Sequence, residues 1–215
     1  MAAATSSTVY QFEHNNTWFE NLVVSSVSDI LATSLDVPES WLIEPATGKG
    51  QALVTITGVL GTIGITEPAL DIFVFRAGNL SISPLDVVSG SLRLFSLDLS
   101  RKDPEVELIT SMPDAVLING ITSWSAKEVL VTDTILGAIY KVNTVTGPYE
   151  TSLSGPDFAG ANGVSVQDGY LYYTSSSNQT LSRVLVNSYT IPGPMKVIYS
   201  GTPVDDFVLA PDGTA

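Results

Sequence analysis

"INGITSWSAKEVLVTDT" occupies residues 118–134, and "ANGVSVQDGYLYYTSS" occupies residues 161–176. Each opens on Asn-Gly, alternates apolar and polar residues, turns on polar residues, and ends in an apolar run closed by Thr. Asn119 and Asn162 stand 43 positions apart. A strand-like pattern restated every ~40–45 residues is the period of a four-stranded sheet repeated radially. A further 43 positions lead to Asp205 in "PVDDFVLAPDGT". Towards the N-terminus, Glu20 opens "ENLVVSSVSDILATS", which has the same apolar-then-Thr close at Thr33. Between these copies "IGITEPALDIFVF", residues 63–75, aligns near Ile63 or Gly64, with Ile63 as the anchor. The anchors are therefore 20, 63, 119, 162 and 205, with gaps of 43, 56, 43 and 43. The long gap has a local cause: "AGNLSISPLDVVSGS", residues 77–91, is rich in Gly, Ser and Pro and reads as an inserted loop.

Each copy holds four strand-like runs. In the third they are residues 120–124, 128–132, 138–142 and 149–153; in the fourth, 164–166, 170–174, 181–186 and 196–199. Val, Ile, Tyr, Leu and Thr dominate them, as pleated half-buried surfaces prefer, and Asp168-Gly169 is a strong hairpin turn. "WLIEPATGKG" and "ALVTIT" complete the first copy; "SLRLFSLDLS" and "EVELITSM" complete the second. No segment carries a helical period. The expected fold is all-β, a β-propeller in one domain over residues 1–215, with blades near 18–60, 61–112, 114–155 and 157–201 and a fifth starting at 204. The chain stops after one strand of that fifth blade. It reads as a fragment of a longer propeller, with "TVYQF" (residues 8–12) expected to close the last blade and the open edge prone to self-association.

Composition narrows the chemistry. With 44% hydrophobic and 14% charged residues, the chain can bury a substantial core. A formal net charge of -13 repels nucleic acid and anionic membrane, and neither is expected as a partner. No cysteine is present, which excludes disulfides, thiolate nucleophiles and sulfur-ligated metals. His14 is the sole histidine, so a Ser-His-Asp triad would have to use it and a multi-histidine zinc site is impossible. No apolar run approaches the roughly 20 residues of a membrane span, and "MAAATSSTVYQF" lacks the regions of a signal peptide. Sequons at Asn15, Asn79 and Asn178 leave a cytoplasmic or a secreted location open.

In a propeller the first strand of every blade lines the central channel, and the residues at its mouth face one another. Here they are Glu20, Asn119, Asn162 and Asp205, with Asp206 adjacent. All offer oxygen, which suits Ca²⁺ or Mg²⁺; the alternative is that Asn-Gly and Asp-Asp only make turns. No organic cofactor is expected.

These motifs resemble the regucalcin/gluconolactonase family of six-bladed propellers. The resemblance implies a divalent cation held by Glu20 in "ENLVV", Asn162 in "ANGVSV" and Asp205 in "VDDFVL", with Asn119 in "INGITS" on the substrate side. The sequence departs from the family at Leu22, where Pro is frequent, and at Asp206, where Gly is frequent; Asp206 thereby competes with Asp205 as a ligand. "GITEPALDIFVFRAGN", "INGITSW", "VLVTDTILGAIYKVNTVTG" and "DGYLYYT" resemble a fungal natural-product branch more closely. That branch includes hetero-Diels–Alderases, which join a quinone methide to a terpene alkene, and proteins assigned as lactone hydrolases.

Two enzymatic readings follow. A pericyclase needs an apolar pocket and a hydrogen-bond donor rather than a nucleophile. Glu67, Trp124 and Tyr173 are candidates for lining it, against the ordinary alternatives of a solvated loop carboxylate and blade packing. A lactonase would polarise the carbonyl with a cation and use Asp205 as base, with Asn119 on the substrate. A non-enzymatic binding propeller is a third class.

Overall fold

The computed structural model describes residues 6–12, 17–82, 85–186 and 193–210. His14 and the Pro-Asp-Gly turn near the C-terminus lie outside them. The first blade is β1 (Phe19–Val24), β2 (Ile30–Ser34), β3 (Glu39–Glu44) and β4 (Lys49–Thr55), hydrogen-bonded in that order. The second is β5 (Gly61–Ala69) and β6 (Ile72–Gly78), then, beyond an inserted hairpin of β7 (Leu80–Ile82) and β8 (Leu85–Val87), β9 (Arg93–Asp98) and β10 (Glu105–Ser111). The third comprises β11 (Ile118–Ser125), β12 (Glu128–Asp133), β13 (Ala138–Asn143) and β14 (Tyr149–Ser154). The fourth comprises β15 (Ala161–Gln167), β16 (Tyr170–Ser175), β17 (Thr180–Leu185) and β18 (Lys196–Ser200). Every pairing is antiparallel, and the four sheets form a β-propeller.

The alternation of the sequence explains how the sheets stack. Residues on opposite faces of a strand point to opposite neighbours, so each blade offers one apolar face to the blade before it and one to the blade after. Leu31, Phe73, Phe75 and Leu97 pack between the first and second blades. Val74, Leu94, Met112, Ile118 and Val131 pack between the second and third. Leu130, Ile139, Leu171 and Tyr173 pack between the third and fourth. Asp168 and Gly169 both take positive φ, 52° and 76°, the left-handed pair that a two-residue hairpin with strand-matched twist requires.

Two segments depart from the expectations. The insertion folds into the β7–β8 hairpin instead of an irregular loop, because Leu80 gains a buried seat against Leu35 and Ile63. Residues 8–12 form no strand. Tyr10 and Phe12 pack on the outer part of the first blade, with Phe12 and Trp41 edge-to-face at 4.7 Å. Gly50 admits them: a Cβ there would lie 2.7 Å from the Tyr10 ring. Residues 203–210 form no ladder either, yet Asp205 occupies the place of an inner strand, as its contacts below show.

Candidate functional site

The four inner strands, β1, β5, β11 and β15, neighbour one another in series around the channel. Each is bulged at the same repeat position, between Phe19 and Leu22, Ile63 and Ile65, Ile118 and Ile121, and Ala161 and Val164. A bulge re-aims side chains and leaves one backbone N–H outside the ladder. In the first, third and fourth blades the Thr that closes the apolar run serves that N–H. Thr132 Oγ1 accepts from Gly120 N–H at 2.8 Å and donates to the Asn162 carbonyl of the next blade at 2.6 Å. Thr174 Oγ1 accepts from Gly163 N–H at 2.9 Å and donates to the Asp205 carbonyl. Thr33 Oγ1 accepts from Asn21 N–H at 3.3 Å. In the third and fourth blades the closing Thr is therefore a strut to the next blade, and it holds Asn162 and Asp205 in equivalent positions, whereas Thr33 donates back to the Asn21 carbonyl of its own blade.

At the bulges a polar mouth assembles. Asn162 Nδ2 donates to Asp205 Oδ1 at 2.6 Å and to Ser176 Oγ at 3.1 Å. Asn21, a residue the sequence reading passed over, donates through Nδ2 to Asp206 Oδ2 and accepts from Gly64 N–H through Oδ1 at 2.6 Å. Burial, and then the charge of Asp205, push the Glu20 carboxyl above its ordinary value, with Trp18 acting against them. The Asp206 carboxyl is pushed up to about 6, first by the protein packed around it and then by Asp205. Asp206 as a residue keeps solvent contact, so its carboxyl stands at the boundary between channel and water. Glu20, Asp205 and Asp206 thus repel one another with no counter-charge among the described residues. The Oδ1 atoms of Asn119 and Asn162 are buried with no partner among the described residues.

An all-oxygen set with unspent acceptors fits a hard divalent cation in chemistry. The geometry is looser. Among the described residues no three Asp, Glu, His or Cys side chains converge to enclose an ion, and Asn162 turns its Nδ2, not its Oδ1, towards Asp205. Rotating that amide and drawing the carboxylates inward is what ligation would require.

Beyond the mouth the channel wall turns apolar. A cavity of about 620 Å³ is lined at the strand starts by Glu20, Asn21 and Asp206, and further along by Leu22, Val24, Ile65, Ile121, Val164 and Phe207 among others. Glu67, Trp124 and Tyr173 do not line this cavity. Glu67 sits near the far end of β5, where Oε1 accepts the Asp71 N–H at 2.8 Å and closes a turn. Trp124 packs on the apolar layer between the third and fourth blades. Tyr173 is fully buried in that layer, with its ring 5.1 Å from Phe158 and its hydroxyl donating to the Asp157 carbonyl at 2.9 Å. Burial pushes its phenol up to about 12. Tyr173→Phe should cost about 1 kcal/mol in denaturant unfolding and leave ligand binding unchanged; a binding defect with normal stability would return Tyr173 to the pocket.

No protein-family model matches the chain. A protein of Sarocladium schorii, provisionally assigned as a hetero-Diels–Alderase, is 24% identical over 221 residues, covering 86% of this chain and 54% of that protein. The chain thus spans about half the length of the curated relative it matches. Among solved structures, a gluconolactonase of Xanthomonas campestris superposes with a TM-score of 0.68 at 15% identity, over 91% of this chain and 66% of that one. A calcium-binding regucalcin of Agrobacterium tumefaciens superposes with a TM-score of 0.62 at 14% identity, over 89% of this chain and 63% of that one. At such identities the likeness to these structures is one of fold: the chain shares the regucalcin- and gluconolactonase-type propeller architecture.

Proposed function

We propose that this propeller holds an apolar small molecule in its channel and acts as a pericyclase, aligning a quinone methide with a terpene alkene. The observation that carries the reading is the channel wall. Leu22, Val24, Ile65, Ile121, Val164 and Phe207 line the cavity beyond a polar mouth. A cycloaddition needs no nucleophile and no proton shuttle; it needs two partners held in a reactive pose and water kept out. The likeness to the Sarocladium schorii protein supports the same chemistry. In this arrangement the wall residues bind and orient the two hydrocarbon partners, and the mouth amides face the oxygen-bearing end.

A second reading is favoured by the orphaned Asn162 Oδ1 and the mutually repelling carboxylates. Here Glu20, Asn162 and Asp205 would hold a divalent cation, and Asp205 and Asn119 would serve a lactone substrate. When bound, such an ion polarises a carbonyl as a Lewis acid. Asp205 would then hold the proton of the attacking water, and Asn119 would orient the ring oxygen.

One comparison separates the two. The chain is incubated with an ortho-quinone methide generated in solution plus a terpene alkene, and separately with a sugar lactone and Ca²⁺. Leu22 is 64% exposed and lines the cavity, so Leu22→Asp should fold normally. It should slow adduct formation about tenfold or more, since an ionised group in the wall opposes an apolar ligand. Adduct formation at the uncatalysed rate, together with Ca²⁺-dependent lactone hydrolysis unaffected by Leu22→Asp, would reject the pericyclase reading in favour of the hydrolase.

A further inference from the structure

One position beyond each inner-strand anchor stand Asn21, Gly64, Gly120, Gly163 and Asp206. Glycine suits the middle three because the next inner strand lies against the backbone there. A Cβ on Gly64 would meet the Asn119 carbonyl, and one on Gly120 the Asn162 carbonyl. A Cβ on Gly163 would stand 3.0 Å from the Asp205 carbonyl and 2.6 Å from Asp206 Oδ1. Only the first and last members of the series carry side chains, and those two meet each other: Asn21 Nδ2 donates to Asp206 Oδ2. The pair joins two segments 185 residues apart in the chain.

The amide of the pair has a fixed orientation. In the second blade Arg76 is paired across the ladder with Ile63, in the place that a closing Thr takes in the other blades, and a guanidinium accepts no hydrogen bond. The Gly64 N–H of that bulge is taken up instead by Asn21 Oδ1, at 2.6 Å. A backbone N–H only donates, so Oδ1 faces Gly64 and Nδ2 faces Asp206. Nδ2 carries two hydrogens. Asp206 takes one, and the other has no partner among the described residues. Asp206 Oδ1 lies over Gly163 and accepts nothing among the described residues.

Both side chains line the cavity of about 620 Å³, together with Gly120, which presents bare backbone, and the aliphatic wall of Val24, Ile65, Ile121 and Val164. Asn119 and Asn162 do not line it. The cavity therefore offers a spare donor and a spare acceptor on adjoining side chains, next to an apolar wall. We propose that Asn21 and Asp206 are the recognition pair of the channel, and that its ligand is an apolar molecule whose polar end presents a carbonyl beside an N–H or O–H. The carbonyl accepts from Asn21, and the N–H or O–H donates to Asp206. This rests on the channel reading above and adds to it the polar group that the ligand must carry. Two hydrogen bonds, one of them to a charged group, fix the direction in which such a ligand lies. A ligand with the carbonyl alone covers the Asp206 carboxylate without giving it a donor, which costs more than the missing bond.

The test uses the full chain, in chelator at pH 8, and three naphthalene probes of like size, with binding followed by probe fluorescence. Naphthamide offers both groups, methyl naphthoate the carbonyl alone, and ethylnaphthalene neither. Wild type should bind naphthamide about tenfold tighter than methyl naphthoate, the range for a hydrogen bond to a charged acceptor. Asp206→Asn replaces that acceptor by a neutral amide and should cut the preference about threefold or more. Asn21→Ala should weaken the two carbonyl probes about fivefold relative to ethylnaphthalene, the range for a neutral hydrogen bond. The ratios are the readout because damage to the fold lowers the binding of all three probes together. Unchanged ratios in both variants, with all three probes bound, would overturn the pair and leave the apolar channel standing. Failure of wild type to bind any of the probes would overturn both. An equal loss of all three probes in both variants would mean that the pair only holds the first blade against residues 205 and 206, and would overturn the proposal as well. Should Asn21→Ala not fold, for want of an acceptor for Gly64, Asp206→Asn decides: an undiminished preference for naphthamide over methyl naphthoate overturns the pair.

Discussion

Gly120→Ala should destabilise the protein by about 2–3 kcal/mol, the usual cost of forcing volume into a packed interior, and lower its thermal midpoint by roughly 4–12 °C. The cause is steric and lies between blades. A Cβ on Gly120 would stand 2.3 Å from the Asn162 carbonyl oxygen and 3.1 Å from Gly163 Cα, and all of these are backbone atoms. Backbone cannot swing aside as a side chain does. The third and fourth inner strands must separate, and the bond from Thr132 Oγ1 to Asn162 O, 2.6 Å long, lengthens or breaks. Gly90→Ala is the comparison. Gly90 has a φ of 73° but nothing within 4 Å of an added Cβ, so it pays only the left-handed strain of about 1 kcal/mol. If the two variants unfold at the same denaturant concentration, close packing of the inner strands is not what requires glycine at this position. Binding of any channel ligand should weaken in Gly120→Ala too, since Asn162 moves with its strand.

The second large effect concerns protons and cations at the mouth. The Asp206 carboxyl has a folded-state value of about 6 against an ordinary 3.8. A carboxyl raised in this way binds its proton more tightly in the folded chain. Its contribution to stability is fully present below pH 3.8 and is lost as pH rises through about 6. The Glu20 shift has the same sign. In chelator, the thermal midpoint of wild type should therefore fall between pH 4 and pH 7 relative to that of Asp206→Asn, in which the proton linkage is removed. Added Ca²⁺ should act in the opposite sense. A cation competes with protons for the same oxygens, so its stabilisation should be large at pH 7 and small at pH 5. At a hundredfold excess over its dissociation constant it would contribute about 2.7 kcal/mol. Glu20→Gln should remove most of that gain. A Ca²⁺ shift of equal size in Glu20→Gln, or one that grows at low pH, would place the cation elsewhere.

Much of the propeller was legible in the strand pattern. Spacing of 43 positions between Asn119 and Asn162, and again to Asp205, located the inner strands because each blade must repeat the same length to close on its neighbour. The Thr at the end of each apolar run was visible as a signature, but its work was not. Only the fold shows that Thr132 and Thr174 reach a carbonyl of the next blade, since that bond spans about 30 residues of chain. The mouth was legible in part. Glu20, Asn162 and Asp205 share the repeat register with Asp206 one position on, and the charge coupling and hydrogen bonds bring them into one group. Asn21 escaped because it breaks the repeat: the later copies have Gly64, Gly120 and Gly163 in its place, and recurrence is what a pattern reveals.

The pocket was the least legible part. Aromatic residues invite attention in a sequence, yet Tyr173 is fully buried between blades. Its ring falls on the face that packs, because the pleat alternates and Tyr173 follows the fully buried Leu171 by two. The wall is made instead of ordinary aliphatics such as Val24, Ile121 and Val164, which look like any other strand residue. Sequence alone determined the all-β class, the blade period and the oxygen-rich character of the mouth, because these are properties of local patterning and composition. Tertiary structure decided which aliphatics of the inner strands reach the channel and that Asn162 meets Asp205, because both depend on the blade that each strand faces.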